Sequence, residues 1–348
     1  KDSLAADRGR REGESEAQYQ GRMFGTRIVE DGIDAFLRDG LEISLDLTTG
    51  PKPGALGLDL AIVAKNDSPS ANAFKRLTGR SSRFQRPFSD DTIGLSASIP
   101  WNETTGKLET MFFDAMRKGM MESEKNHEDT RAEIARFVDV FKNSIIGNDL
   151  DFGMSVVGPF TQTDRTFVML MGFKVKSGAE IDKQFRSLVE HTKDDNKVTI
   201  TLDAAKTPDG TGIHRLVPKK EQPPTPFGDA SLTMSSGGDI LLLGTGPNGI
   251  AAFQEALPEL KKPPVKTSSI LEAQIHLARF AQMGGLPQSE AMRKAANEVF
   301  QGEAASKDRV QLSLVGEENA IHFRLGLDAA SLRFFRLVGE MGRGRPRP

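Results

Sequence analysis

From Leu41 the chain alternates large apolar and polar residues with a period of two: Leu41, Ile43, Leu45 and Leu47 against Glu42, Ser44, Asp46 and Thr48. That period places every second side chain on the same face, so the stretch predicts a strand with one wet face. The turn Gly50-Pro51-Lys52-Pro53-Gly54 returns the chain into a second strand at 58–64. Ser68 then offers an N-cap oxygen and Pro69 a preset first helical residue, with Phe74 and Leu77 facing inward.

This strand-strand-helix order recurs three times. Strands at 152–157 and 167–175, joined through Gly158 and Pro159, lead to a capping box made by Ser177 and Glu180. The helix that follows buries Ile181, Phe185, Leu188 and Val189. Strands at 198–202 and 213–217 and a Pro/Lys-rich linker at 218–228 precede a third unit, with strands at 231–234 and 240–243 and a helix carrying Ile250, Phe253 and Leu257. After a second Pro/Lys linker at 258–266, a strand alternates Leu271, Ala273, Ile275 and Leu277 with polar residues. A short helix near 289–300 leads to the last unit, which pairs Val310, Leu312 and Leu314 with Ile321, Phe323, Leu325 and Leu327 and uses Asp328 to cap its helix.

One insertion departs from this order. Leu108, Met111, Phe112, Ala115, Met116, Gly119 and Met120 form a helical stripe, and Ile134, Phe137, Val138, Phe141 and Ile145 form another. The polar stretch 122–131 between them is either the exposed middle of one long helix or the turn of a helical hairpin. A methionine stripe can line an adaptable groove for a small apolar ligand, although core packing is the commoner use.

Strands joined by tight connections run antiparallel, so the predicted class is α+β: antiparallel sheets built from strand-strand-helix units, with helices on one face. The expected divisions are a polar N-terminal tail at 1–26, a first α+β region at 27–147 with its helical insertion at 107–146, a second at 148–260, a C-terminal region at 261–341 completing the sheet, and a basic tail at 342–348. The start at Lys1 instead of methionine predicts that something was removed upstream. Residues 1–22, rich in Arg, Glu, Asp and Gly, read as a solvated tail or linker.

Charge and composition then narrow the function classes. Across 348 residues, 46 basic and 48 acidic side chains nearly cancel, so no extended field gathers nucleic acid or an acidic membrane surface. Cysteine is absent, which removes disulfides, thiolate metal sites and cysteine nucleophiles and leaves the compartment open. No apolar run is long enough to cross a bilayer as a helix.

The candidate motifs each have a structural explanation. Gly244-Thr245-Gly246-Pro247-Asn248-Gly249 matches the glycine spacing of a dinucleotide-binding turn between a strand and a helix. Three features oppose that reading: the preceding strand sits in a hairpin, residues 261–269 offer no carboxylate for a ribose, and no parallel strand-helix unit follows. His127, His191, His214, His276 and His322 are scattered without metal-binding spacing. Glu124 with His127 gives half of a di-iron helix motif, but its surroundings are polar all round. His276 and His322 fall on the polar phases of their strands beside Glu272 and Arg324, a small wet cluster if the strands are neighbours. The pair Asp149 and Asp151 is of a common kind, and Arg343, Arg345 and Arg347 read as a solvated basic tail.

The segments FLRDGLEISLDL, SPSANAFKRLTGRSSRF, VVGPF, GFKVKSGAEIDKQFRSLV, GIHRLVP, FGDASLTMSSGGDILLLGTGPNGIAAFQEAL and KDRVQLSLVGEENAIHFRLGLD resemble, in order, a family of uncharacterised extracytoplasmic proteins abundant in planctomycetes. A weaker similarity extends to DUF3352, a domain of unknown function. The resemblance implies export, hence a periplasmic or secreted setting, and supplies no catalytic residues. The expectation is therefore a non-enzymatic extracytoplasmic protein acting through its surface, as an assembly subunit or binding module, with self-association or a protein partner. A small-ligand carrier is the alternative, and a nucleotide-dependent enzyme using Gly244, Gly246 and Gly249 comes last. No catalytic, cofactor-binding or metal-ligating residues are assigned.

Overall fold

The computed structural model describes residues 37–49, 55–85, 92–100, 128–145, 149–160, 166–191, 198–207, 209–219, 225–283, 289–302 and 307–343, with scattered positions between 9 and 34, between 110 and 121, and residue 304. The first stretch holds β1 (Gly40–Thr49), β2 (Leu56–Ala64), α1 (Pro69–Lys75), β3 (Arg80–Ser82), β4 (Ile93–Ile99) and α2 (Glu128–Ile145). The middle holds β5 (Leu150–Val157), β6 (Val168–Lys174), α3 (Gly178–His191), β7 (Val198–Lys206), β8 (Gly212–Pro218), β9 (Leu232–Gly237), β10 (Ile240–Thr245) and α4 (Gly249–Leu260). The last holds β11 (Val265–Thr267), β12 (Ser269–His276), α5 (Leu277–Phe280), α6 (Ser289–Val299), β13 (Arg309–Gly316), β14 (Ala320–Leu327) and α7 (Ala329–Arg343).

The fold is α+β. Twelve strands form one antiparallel sheet in the order β1-β2-β14-β13-β12-β4-β5-β6-β10-β9-β8-β7, and β11 pairs with β3 in a separate ribbon. The four predicted hairpins are all present as adjacent pairs, β1 with β2, β5 with β6, β9 with β10, and β13 with β14. Their neighbours are set by long-range matching: β12, β13 and β14 lie between β2 and β4, so early and late parts of the chain share one sheet.

The helix starts follow the local signals. The Ser68 side chain accepts from the Ala71 backbone N–H at 3.1 Å, with Pro69 at the first helical position. Ser177 does the same for Glu180 N–H at 3.3 Å, and α3 buries Ile181, Phe185, Leu188 and Val189. Phe113 packs edge-on against Phe141 of α2, with ring centroids 5.3 Å apart, and Arg117 pairs with Asp139. One continuous helix would separate residues 113 and 141 by about 42 Å, so the insertion is a hairpin. The stripe of Leu108, Met111, Phe112, Ala115, Met116, Gly119 and Met120 lies outside the described residues, as do His127, Glu124 and the basic tail beyond residue 343.

The two phases of the sheet differ along its width. In the half from β5 to β10, alternate residues of β10 enter separate cores. Leu241 and Leu243 join α2 and α3 on one face, whereas Ile240 and Leu242 join Phe253, Leu257 and Leu260 of α4 on the other. The helices, expected on one face, thus divide between two here, because β10 is apolar on both phases. In the half from β1 to β12, one phase carries Leu45, Leu60, Phe323, Leu314 and Leu271 in direct register. The opposite phase carries Asp46, Asp59, Arg324, Ser313 and Glu272.

Candidate functional site

Among the described residues β1 is the outermost strand at one edge of the sheet. Its alternation is the one the sequence predicts, but its apolar phase is not buried: Leu41, Ile43, Leu45 and Leu47 are 65%, 54%, 63% and 65% exposed. After a register shift at its start it runs in unbroken pairing from Glu42 to Thr49 against β2. An edge strand of this length with apolar side chains and no break presents a template for a further strand.

A second surface lies on the polar phase behind β1. Two ranks of residues cross six strands side by side. One reads Asp46, Asp59, Arg324, Ser313, Glu272 and Ser96, and the other Thr48, Gly57, Gly326, Gln311, Gln274 and Gly94. Together they floor an open trough of about 790 Å³, with Gln85 standing at one wall. At the outer end His322 Nδ1 lies 2.9 Å from Asp59 Oδ1, while Arg324 contacts Asp59 at 2.8 Å and Glu317 at 3.2 Å. Burial alone would raise the Asp59 carboxyl, but the hydrogen bonds from Arg324 and His322 outweigh it and hold the group below its ordinary range. Arg324 fills the place a cation would take, and among the described residues no three His, Asp or Glu side chains form a metal-binding group.

The wall bearing Gln85 is a strap running from β3 across the polar phase. Asp151 anchors it, accepting from Ser82 Oγ at 2.7 Å and from the Arg83 backbone N–H at 3.0 Å. Arg83 reaches Asp239 at 2.7 Å and the Leu260 carbonyl at 3.1 Å. Phe84, wholly buried, occupies the space that a Cβ on Gly172 would need. Burial pushes the Asp151 carboxyl above its ordinary range despite these hydrogen bonds. Its partner in sequence, Asp149, instead pairs with Arg80 at the surface. A carboxylate in the strand phase opposite an Arg-Ser-Ser-Arg segment is the signal that could have marked this anchor.

The remaining motifs serve the fold. His276 and His322 sit toward opposite ends of their strands: His276 lies 3.1 Å from Asp308, so the two do not share a cluster. His214, fully buried, accepts from the Asp203 backbone N–H on Nδ1 at 3.1 Å, which leaves Nε2 to donate to Asp182 at 2.6 Å. Arg186 bridges Asp182 and Asp203, and its hydrogen bonds hold the Asp203 carboxyl below its ordinary range. His191 Nδ1 stays on its own helix, 2.8 Å from the Ser187 carbonyl.

At the glycine-rich turn, β10 is antiparallel to both β6 and β9. A Cβ on Gly244 would meet the Phe253 ring at 2.6 Å and one on Gly246 the Phe227 carbonyl at 2.7 Å, while Gly249 abuts Thr233. The glycines admit the protein's own groups, which is where a pyrophosphate would have to approach. Comparison with protein-family models, with curated proteins and with solved structures finds no match.

Proposed function

We propose that this protein is an assembly module that acts through its surface by pairing the β1 edge with the same edge of a second copy. The observation that carries the reading is the exposed apolar row Ile43, Leu45 and Leu47 on an unbroken edge strand. The strand is self-complementary about Leu45. With two copies antiparallel and Leu45 opposite Leu45, Ile43 meets Leu47 on the apolar phase. On the polar phase Ser44 meets Asp46 and Glu42 meets Thr48, so no like charges stand directly opposite. Such isologous pairing joins two sheets through backbone hydrogen bonds and closes as a dimer. The resemblance to exported proteins supports an extracytoplasmic setting for it.

Sedimentation velocity over a range of protein concentrations tests this. The expected result is a reversible dimer for the wild type and a monomer for Leu45→Lys, with the same melting temperature for both at concentrations where the wild type is monomeric. A wild type that remains monomeric at every concentration, or a Leu45→Lys protein that still dimerises, overturns the proposal.

A further inference from the structure

We infer that the polar trough on the opposite phase is a binding site for a linear saccharide. This stands apart from the edge pairing, because it uses the other face of the same strands.

The lining is the first argument. By register, the side chains of the two ranks point into the trough, and the intervening leucines point to the other face. Among the described residues the side chains that enter it are hydroxyls, amides, carboxylates and the Arg324 guanidinium over a floor of glycine and strand backbone, so no large apolar side chain of these two ranks offers itself to a lipid tail. Six strands at about 4.8 Å spacing give a length of about 24 Å, the span of several linked sugar rings. An extended ligand crossing the strands would meet at least one polar side chain at each step, and two on β1, β13 and β12.

Unmet hydrogen bonds are the second. Gln85 and Gln274 both line the trough, and Gln85 Oε1 and Gln274 Nε2 are shielded from solvent without a protein partner, so that turning either amide toward the trough exchanges an unmet group for one that a ligand can satisfy. One is an acceptor and the other a donor, and a buried polar atom left without a partner is destabilising. A hydroxyl serves either, because it donates and accepts. Ligands rich in adjacent hydroxyls therefore satisfy this wall better than ligands with only one kind of group.

Charge supplies the third. Asp59 is neutralised by Arg324, but Asp46 and Glu272 have no cationic partner among the described residues. Two free carboxylates disfavour phosphate, sulfate and nucleic acid, and they accept well from sugar hydroxyls. A lysine-rich peptide is the competing occupant that this charge would also admit, and the amide-lined middle of the trough, Gln274 and Gln311, argues for the sugar.

The test is saturation-transfer NMR and calorimetry with short linear oligomers of glucose, mannose, xylose, galactose and N-acetylglucosamine, and with oligolysine as the rival. The expected result is binding of at least one saccharide, with shifts of the Gln274 and Gln311 side-chain amides. The double variant Gln274→Ala, Gln311→Ala should lose about tenfold in affinity while melting at the wild-type temperature. Ser313→Ala provides a milder variant should the double change disturb folding. Three results would overturn the inference: no saccharide in the panel binds, binding persists unchanged in the trough variants, or oligolysine binds there and the saccharides do not.

Discussion

The two edges of this sheet are built in opposite ways. At one end β7 is broken by a register shift between Thr201 and Ala205, where Asp203 adopts a positive φ of 50°. Its exposed positions carry Thr199, Thr201, Asp203, Ala204 and Lys206, with no large apolar side chain, and Asp203 is tied back to Arg186 and to the His214 ring. Bulges and charged side chains are how natural sheets discourage a further strand. At the other end β1 keeps its register from Glu42 to Thr49 and exposes three aligned apolar side chains. One edge is closed and the other offers itself, which limits strand addition to a single end and favours a pair over a filament.

Breaking the covered half should cost the most. Phe84→Ala removes a fully buried ring from between α4 and Gly172, and is expected to destabilise by about 3–5 kcal/mol in urea unfolding. His214→Ala removes the anchor of the closed edge and strands the Asp203 N–H. A loss of about 2–4 kcal/mol is expected, with faster amide exchange confined to β7 and β8.

Titration sharpens the contrast. Asp151 has a carboxyl raised by burial, so its contribution to stability is present below the ordinary carboxylate pKa and is lost as pH rises through the raised folded value. Asp203 is lowered by Arg186, so its contribution is present above the ordinary carboxylate pKa and is lost as pH falls through the lowered folded value. In Arg186→Met, carboxyl NMR should show Asp203 returning toward its ordinary range, with only a small stability change because the group is partly exposed. An unchanged Asp203 titration would remove Arg186 as the cause. At concentrations where the protein is monomeric, Leu45→Lys at the open edge should shift unfolding by no more than about 0.5 kcal/mol, because the side chain it replaces is already largely in water.

Local features of the fold were legible because they depend on neighbours in sequence. The cap at Ser177, the inward row of α3 and the four hairpins follow from spacing and turn residues alone. Strand β4 was not read, although Ile93, Leu95 and Ile99 alternate correctly, because Gly94, Ser96 and Ser98 gave no contrast to turn signals nearby. The order of hairpins in the sheet depends on matches such as Asp59 with Arg324, whose partners are 265 residues apart. The same limit hid the trough: its two ranks are assembled from six strands, each of which supplies only one residue to each rank. The exposure of β1 was hidden for a related reason, since an alternating strand reads alike whether its apolar face meets a core or a second molecule.

Hydrogen exchange of the β1 amides that point away from β2, followed at high and low protein concentration, tests the central claim most directly. Pairing through this edge predicts slow exchange across residues 42–48 at high concentration and fast exchange on dilution, with β7 amides unaffected. Exchange in β1 that is the same at both concentrations would contradict it.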